Sequence, residues 1–401
     1  MTHSDNSFDP QYIGAGPPFG IAVPRMDWDR APWNRWSFQH IREILPTAEV
    51  WRGDKPVREL PRHDRDLDSL IVKSIGGEAT SLLHLLDETY TDGIVVLHQG
   101  AIVYERYFGG MTPHTLHLSQ SVAKSVVGMT AGILLGHGLL DPNQLVSHYL
   151  PELAATAWKD ATLQQVLDMT TGVWFNEDYS DPHSHVGQLD VASSWKPVPP
   201  GTDADLKWPA HVWELILGLK QKTRAHGAQF EYRSIETDVL AFCMERVTGK
   251  RLAQIVSEEL WQKLGAEESA SFTIDPAGYS IADGGFNATL RDYARFGQMV
   301  LSGGDNIVPK SWIEETRNAN HKMFGAPYTI VLPQGGYHNQ FWVEDSQSRN
   351  LMCRGVFGQF IYIDFAHEMV VVKLSSWPEF VSPKKMIATL AAVRSIAEQL
   401  N

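Results

Sequence analysis

The chain has 401 residues, 43% of them hydrophobic and 20% charged, a composition that excludes a disordered chain and supports one large core or two domains. Its formal net charge of −13, with no basic run, argues against a nucleic-acid partner or an anionic membrane surface, since both need concentrated Lys and Arg. The two cysteines, Cys243 and Cys353, are too few for a disulfide framework, and the polar start Met1-Thr2-His3-Ser4-Asp5-Asn6 leads into no apolar stretch suited to a signal peptide or a membrane span. Reduced thiols and a cytoplasmic location are therefore expected.

Residues 1–75 are dense in Pro, Trp, Arg and Asp, and Pro17-Pro18, Pro24, Pro32, Pro46, Pro56 and Pro61 forbid long regular elements. Trp28, Trp33, Trp36, Phe38 and Trp51 are too apolar for a free tail, so this irregular extension is expected to pack on the main body or on a second subunit. Two β-rich runs follow, Gly93–His98 and Ala101–Phe108, joined at Gln99-Gly100 as a hairpin. A helix is predicted after Ser121, broken at Gly138-Leu139-Leu140-Asp141-Pro142, and a short one over Leu163–Met169. From 171 to 200 the chain loses periodicity and gains Asp, His, Trp and Pro, which reads as a functional loop. Helical patterns return at Val212–Lys222, Thr237–Val247, Ala253–Lys263 and Leu290–Leu301, the last with a polar face of Arg291, Asp292 and Arg295. Strands are predicted at Gln340–Glu344, Leu351–Arg354, Phe360–Phe365 and Met369–Leu374, then an amphipathic helix from Pro383 to Leu400.

Strands at both ends with helices between them point to an α/β (α+β) protein with one sheet built from the two chain ends. The expected division is an α/β domain over 76–120 and 281–401, and a mainly helical domain over 121–280 that carries the active-site loop 171–200.

The residues richest in chemical implication are Leu118-Ser119-Gln120-Ser121-Val122-Ala123-Lys124. Residues three apart share one helix face, so the Lys124 ammonium folds back over the turn that carries the Ser121 hydroxyl. A serine needs an adjacent base to become nucleophilic, and a lysine serves only when its pKa is pushed down. Val122, Ala123, Val126, Val127, Met129, Ile133 and Leu134 predict a buried helix with no neighbouring carboxylate in sequence, which disfavours the ammonium. Ser-x-x-Lys is a short pattern and recurs at Ser193/Lys196 and Ser382/Lys385. The first runs into Lys196-Pro197-Val198-Pro199-Pro200, and Ser382-Pro383 reads as an N-cap with a first-turn proline.

Cleavage of an acyl bond also needs a proton shuttle and an oxyanion site. Tyr232 is the candidate shuttle, although a tyrosine there is more commonly a packing residue. Gly355 on a strand lets a substrate lie against the backbone, so the Val356 and Ser121 amides are the candidate oxyanion hole. The sixteen histidines, His183 and His185 among them, lack zinc-site spacing, and neither a Walker loop nor a Gly-x-Ser-x-Gly elbow is present, so no metal or cofactor is expected.

Ser121-Val-Ala-Lys124, Tyr232-Arg-Ser234 and Gly355, in that order, make the chain resemble the serine β-lactamase and penicillin-recognising superfamily, on its class C and esterase side. The blocks Trp33-Asn34-Arg35-Trp36, Asn176-Glu177-Asp178-Tyr179, Thr237-Asp238-Val239-Leu240-Ala241, Glu245-Arg246-Val247-Thr248-Gly249, Gly284-Gly285 and Lys373-Leu374-Ser375-Ser376-Trp377-Pro378 are similar to the 6-aminohexanoate-dimer (nylon-oligomer) hydrolases. The resemblance implies a β-lactamase-like antiparallel sheet flanked by helices, an inserted helical domain, and two-step hydrolysis through an acyl-enzyme. In that scheme Ser121 attacks, Lys124 takes its proton, Tyr232 protonates the leaving amine, and the Ser121 and Val356 amides hold the oxyanion. Tyr179 contacts the amide from the mobile loop, Trp195 closes over the substrate, and Asp190 pairs with a substrate ammonium; Asp283, Trp342 and Gly355 complete the implied substrate-binding set. A homodimer is implied as well.

Three positions depart from the family pattern. Asp283 stands where a small neutral amide is expected, Phe357 replaces a histidine before Gly358-Gln359, and Cys353-Arg354-Gly355 lacks the Lys-Thr-Gly of true β-lactamases, leaving Arg354 as a substitute for the lysine that seats a drug carboxylate. The expected activity is hydrolysis of linear amides such as 6-aminohexanoate oligomers, with carboxylesterase activity beside it. Two alternatives stay open: a short-chain esterase without amidase activity, and an inactive penicillin-fold protein that binds a ligand.

Overall fold

The computed structural model describes residues 23–203, 205 and 207–400; Met1–Asn6 and Pro17-Pro18 lie outside them. Thirteen strands form three antiparallel sheets among the described residues. In chain order they are β1 Thr47–Val50, β2 Ile71–Lys73, β3 Ala79–Ser81, β4 Thr91–His98, β5 Ala101–Tyr107, β6 His117–Leu118, β7 Ala270–Thr273, β8 Phe286–Ala288, β9 Gly336–His338, β10 Phe341–Val343, β11 Leu351–Gly355, β12 Gln359–Asp364 and β13 Met369–Ser375. The main sheet has the order β5-β4-β13-β12-β11-β10-β9, so the two chain ends meet where β4 pairs with β13.

The hairpin β4–β5 turns at Gln99 and Gly100, with φ of 50° and 78°, and pairs His98 with Ala101. Two left-handed residues in a two-residue turn match the twist of the flanking strands. Strand β13 is buried along its whole length because both faces are covered. A Cβ added at Gly297, in the helix Leu290–Leu301, would lie 2.6 Å from Val370. Val371, one residue on and therefore on the opposite face, shares a cavity wall with Val393 and Ile396 of the helix Pro383–Leu400.

The polar face read on the helix Leu290–Leu301 points inward. Asp292 accepts from the amides of Glu267 and Glu268 at 2.7 and 3.0 Å and pairs with Arg295 at 2.8 Å, while Arg291 binds Glu105 at 2.7 Å. Charge at these positions fastens a loop and a strand instead of facing water.

The second sheet, β1-β7-β8-β6, draws a strand from the Pro-rich extension, since Thr47–Val50 pairs with Ala270–Thr273. Trp28 and Phe38 of that extension are fully buried, whereas Trp51 is 45% exposed. Two further expectations change in detail. The stretch 171–200 contains a helix, His185–Ala192, opened by Ser184 accepting from the Gly187 amide, and the helix at Val212 ends at Gly218. Periodicity missed the first because Gly187 and Asp190 interrupt its apolar face.

Candidate active site

After β6 the backbone enters a left-handed conformation at Gln120, φ 50°, and Ser121 follows as the N-cap of the helix Val122–Gly136. Positive φ at a non-glycine residue costs energy, and tight surroundings are needed to hold it. Ser119 supplies them: its amide and hydroxyl both donate to the Phe286 carbonyl, each at 2.9 Å. The helix beyond is buried from Val122 to Leu134. Each buried Val, Ile, Leu or Met contributes roughly 1.5–3 kcal/mol, so packing fixes this helix and the serine at its start.

Lys124 Nζ donates to Ser121 Oγ at 2.9 Å, to Ser234 Oγ at 3.1 Å and to the Asp283 carbonyl at 2.6 Å. The Tyr232 phenol meets both Ser121 and Lys124, and its ring stacks on Trp342 with centroids 5.5 Å apart. The fold thus joins Ser121, Lys124 and Tyr232, which are separated by up to 111 positions in the chain, at one point. The Ser193/Lys196 pair makes no such contact, since Ser193 Oγ donates to the Asp190 carbonyl at 3.1 Å and Lys196 turns to Asp29 and Asp190. At Ser382 the hydroxyl accepts from the Lys385 amide at 3.5 Å, as an N-cap does.

The electrostatics differ from the expectation drawn from sequence. Burial does press the Lys124 ammonium toward neutrality, but Tyr232, Asp283 and Glu177 outweigh it and hold its pKa above the ordinary lysine value. Asp283 Oδ2 is 3.8 Å from Lys124 Nζ. Sequence reasoning failed here because both acids come from distant segments. Burial raises the carboxyls of Asp238 and Asp283, each of which also repels the other's charge, and Asp238 lies well above its usual range. Asp238 is held by the Ala282 amide at 3.0 Å.

Glu177, Ser234 and Asp238 lie inside the sequence motifs, yet nothing in the sequence alone assigns them a role. Glu177 accepts from the Ser234 hydroxyl at 2.5 Å, the Ser234 amide at 3.0 Å and the Tyr179 phenol at 2.8 Å. A polar chain therefore runs from Glu177 through Ser234 and Lys124 to Ser121. Only the spacing of Ser234, two residues after Tyr232 at a helix start, could have signalled it.

A Cβ added at Gly355 would lie 2.6 Å from the Ser119 carbonyl and 3.1 Å from Gln120 Cβ, so only glycine lets β11 run this close to the serine turn. Val356 comes next and lines both cavities that open on Ser121. Phe357, φ 61°, turns away from them and packs on Phe38 and Phe380 at 5.3 and 4.7 Å.

One cavity, of about 40 Å³, is lined by Asp190, Trp195 and Asp283; the other, of about 380 Å³, by Trp342, Gly355 and Tyr232, and Tyr179 borders both. Trp195 is already seated over the smaller one. Its indole donates to Thr273 Oγ1 at 3.0 Å, and Trp28 donates to its carbonyl at 2.8 Å. Asp190 is not an open anion, since Lys196 lies 3.2 Å from it and also binds Asp29 at 2.8 Å. Burial pushes Asp190 up to about 6 despite that lysine. His185 is structural, accepting from the Asn176 amide at 2.8 Å and stacking on Phe175. Among the described residues no group of three or more His, Cys, Asp and Glu side chains is placed to hold a metal ion, and no helix is long and apolar enough to cross a membrane.

Residues 85–394 match the β-lactamase family. A 6-aminohexanoate-dimer hydrolase from Paenarthrobacter ureafaciens is 37% identical over 380 residues, 92% of each chain. Among solved structures, a Bacillus anthracis protein provisionally named a 6-aminohexanoate-dimer hydrolase superposes with a TM-score of 0.86 at 31% identity, covering 96% of this chain and 99% of that one. EstCE1, a hydrolase with promiscuous acyltransferase activity, shares the fold at a TM-score of 0.60 and 16% identity, over 77% of this chain and 96% of its own.

Proposed function

The chain belongs to the β-lactamase family, and from that premise we propose that it is a serine hydrolase that cleaves linear amides of the 6-aminohexanoate-dimer kind through an acyl-enzyme, with carboxylesterase activity at the same site. The observation that carries this reading is the 2.9 Å contact between Lys124 Nζ and Ser121 Oγ, with the Tyr232 phenol against the same pair.

In the working form Lys124 is neutral. Ser121 Oγ attacks the amide carbon as its proton passes to Lys124, and the Ser121 and Val356 amides stabilise the oxyanion. Tyr232 delivers its proton to the leaving nitrogen and takes a replacement from Lys124, so the C–N bond breaks, the amine departs, and Lys124 is neutral again for the second step. Water then attacks the Ser121 ester, giving up its proton to the same base, and the acid is released with Ser121 restored. Tyr179 contacts the scissile amide, Asp190 receives a substrate ammonium in exchange for Lys196, and Trp195 walls that end. Asp283 sets the charge of Lys124, while Trp342 and Gly355 shape the larger cavity.

An ester needs less help for its leaving group, so the same residues support ester cleavage. The 1–75 extension, the α/β domain of 76–120 with 281–401 and the helical domain of 121–280 remain the proposed division. Assembly as a cytoplasmic homodimer is part of the proposal, supported by the exposure of Trp51 and Ile71 on the extension, and light scattering at micromolar concentration tests it.

Labelling by a fluorophosphonate probe tests the nucleophile. Labelling is expected in the native protein, in Ser193→Ala and in Ser382→Ala, and is expected to vanish in Ser121→Ala. A native protein that takes no label is not a serine hydrolase.

A further inference from the structure

Three acceptors surround Lys124 Nζ: Ser121 Oγ at 2.9 Å, Ser234 Oγ at 3.1 Å and the Asp283 carbonyl at 2.6 Å. They match the three N–H bonds of an ammonium and leave no lone pair for the Ser121 proton. To act as a base the lysine must first lose one of those protons, and the surroundings decide where it goes. A carbonyl oxygen does not keep a proton at neutral pH, and Ser121 is the group whose own proton the lysine has to receive. The Asp283 carboxylate lies 3.8 Å from Nζ, beyond hydrogen-bond range. Tyr232 already carries a proton, since burial raises its phenol above the ordinary value.

Ser234 differs because its hydroxyl has an onward acceptor. Its Oγ donates to Glu177 Oε1 at 2.5 Å, and its amide donates to Glu177 Oε2 at 3.0 Å. The hydrogens along Lys124, Ser234 and Glu177 therefore all point from the nitrogen toward the carboxylate. Glu177 is half-buried on the wall of the larger cavity, and burial raises its carboxyl above the usual range. Lys124, Arg233, Tyr179, Tyr232 and Tyr328 face it. Lys124 in turn faces Tyr232, Asp238 and Asp283.

We propose that Ser234 and Glu177 form a proton relay that discharges Lys124 and so makes it the base. One proton passes from Lys124 Nζ to Ser234 Oγ as the Ser234 proton crosses to Glu177 Oε1. An N–H and an O–H bond break, two O–H bonds form, and the products are a neutral amine and a neutral carboxyl. No proton leaves the site. Substrate in the larger cavity covers the remaining face of Glu177, and removing water from both charges favours the neutral pair. The proton then stays on Glu177 through acylation and deacylation, because each step returns Lys124 to its neutral form. Ser234 and Glu177 are positioning residues that act through Lys124, and the inference rests on the hydrolase reading.

The test is the pH dependence of kcat/KM from pH 6 to 9 on p-nitrophenyl butyrate, whose leaving group needs no proton from Tyr232. The relay moves a proton within the site, so it supplies neutral Lys124 at a level independent of pH. The native rate is therefore expected to climb by less than about tenfold per pH unit above neutrality. Ser234→Ala breaks the relay and keeps both charges. Its rate at pH 7 is expected to fall about tenfold or more, then to climb about tenfold per pH unit as solvent takes the proton instead. Ser234→Thr restores a hydroxyl and is expected to recover the native slope. Glu177→Gln removes the final acceptor and is expected to lower the rate at pH 7, whereas loss of a negative charge beside Lys124 would by itself raise it. A gain in Glu177→Gln, a native profile in Ser234→Ala, or a loss there that is equal at every pH overturns the proposal. A native protein inactive on the ester overturns the hydrolase reading and the relay together, while an active one with any of those profiles overturns the relay alone.

Discussion

Lys124 Nζ donates to the main-chain oxygen of Asp283 at 2.6 Å, while the carboxylate of the same residue lies 3.8 Å from that nitrogen. One residue thus positions the candidate base and also holds its proton. The base form of Lys124 is lost as pH falls, so acylation should climb with pH above neutrality. Asp283→Asn keeps the main-chain contact, removes the charge and lowers the Lys124 pKa. The rate on p-nitrophenyl butyrate at pH 7 is expected to rise about threefold to tenfold, one pKa unit being tenfold in the neutral amine, and the alkaline limb to move to lower pH. A slower enzyme with an unmoved profile would mean that the Asp283 carboxylate does not govern Lys124.

Gly355→Ala tests the close approach of β11. The new methyl would meet the Ser119 carbonyl at 2.6 Å, so either β11 or the Ser121 turn must shift and the Val356 amide moves away from the serine. A displacement of this order costs up to roughly 100-fold in rate. A fall of at least tenfold in kcat with little change in the far-ultraviolet circular dichroism is expected; unchanged kcat would remove Val356 from the oxyanion site.

The Asp29–Lys196–Asp190 cluster makes a prediction about charge at the other end of the substrate. Lys196→Met frees Asp190, so kcat/KM for an ammonium-terminated amide should rise relative to a neutral ester. The pH sign follows from Asp190, whose pKa of about 6 lies above its ordinary value. As pH falls through 6 the carboxylate is protonated, and KM for the ammonium substrate should increase while that for the neutral ester stays level. Asp190→Asn should abolish that difference, and equal loss on both substrates would make Asp190 structural.

Glu236 links the loop after Met169 to the helix that starts at Ser234, accepting from Thr171 and from the Trp158 indole at 2.9 Å. Burial pushes its carboxyl up to about 7, against about 4.5 for the exposed group. Between those values the folded state binds more protons than the unfolded one, so stability declines as pH rises through this window, by about 3 kcal/mol for this group. Urea unfolding from pH 5 to 8 should show the decline, and Glu236→Gln should flatten it. An identical slope in the variant would show that Glu236 is ionised throughout.

What the sequence revealed and what it hid divide along physical lines. The Ser121 helix, the Gln99-Gly100 hairpin and strands β10 to β13 were legible because apolar periodicity and turn chemistry are local. Ser121 and Lys124 were legible because a helix places residues three apart on one face. Tyr232 and Val356 could be named as candidates from the residues, but a tyrosine before a helix and a glycine on a strand are weak signals, and the resemblance is what tied them to Ser121. The raised pKa of Lys124 was hidden, since Glu177 and Asp283 reach it from 53 positions later and 159 positions later, and only the fold sets such distances. Lys196 was hidden for the same reason: its partner Asp29 lies in a Pro-rich segment that shows no periodicity. The short strands β1 and β7 went unread because four residues carry too little alternation to stand out.

The most direct measurement is the rate of the purified protein on the 6-aminohexanoate linear dimer and, beside it, on p-nitrophenyl butyrate, with Ser121→Ala as the blank. Turnover of both substrates, abolished in Ser121→Ala, is the result expected of a serine hydrolase that cleaves linear amides. Turnover of the ester alone, or amide cleavage that persists in Ser121→Ala, would contradict it.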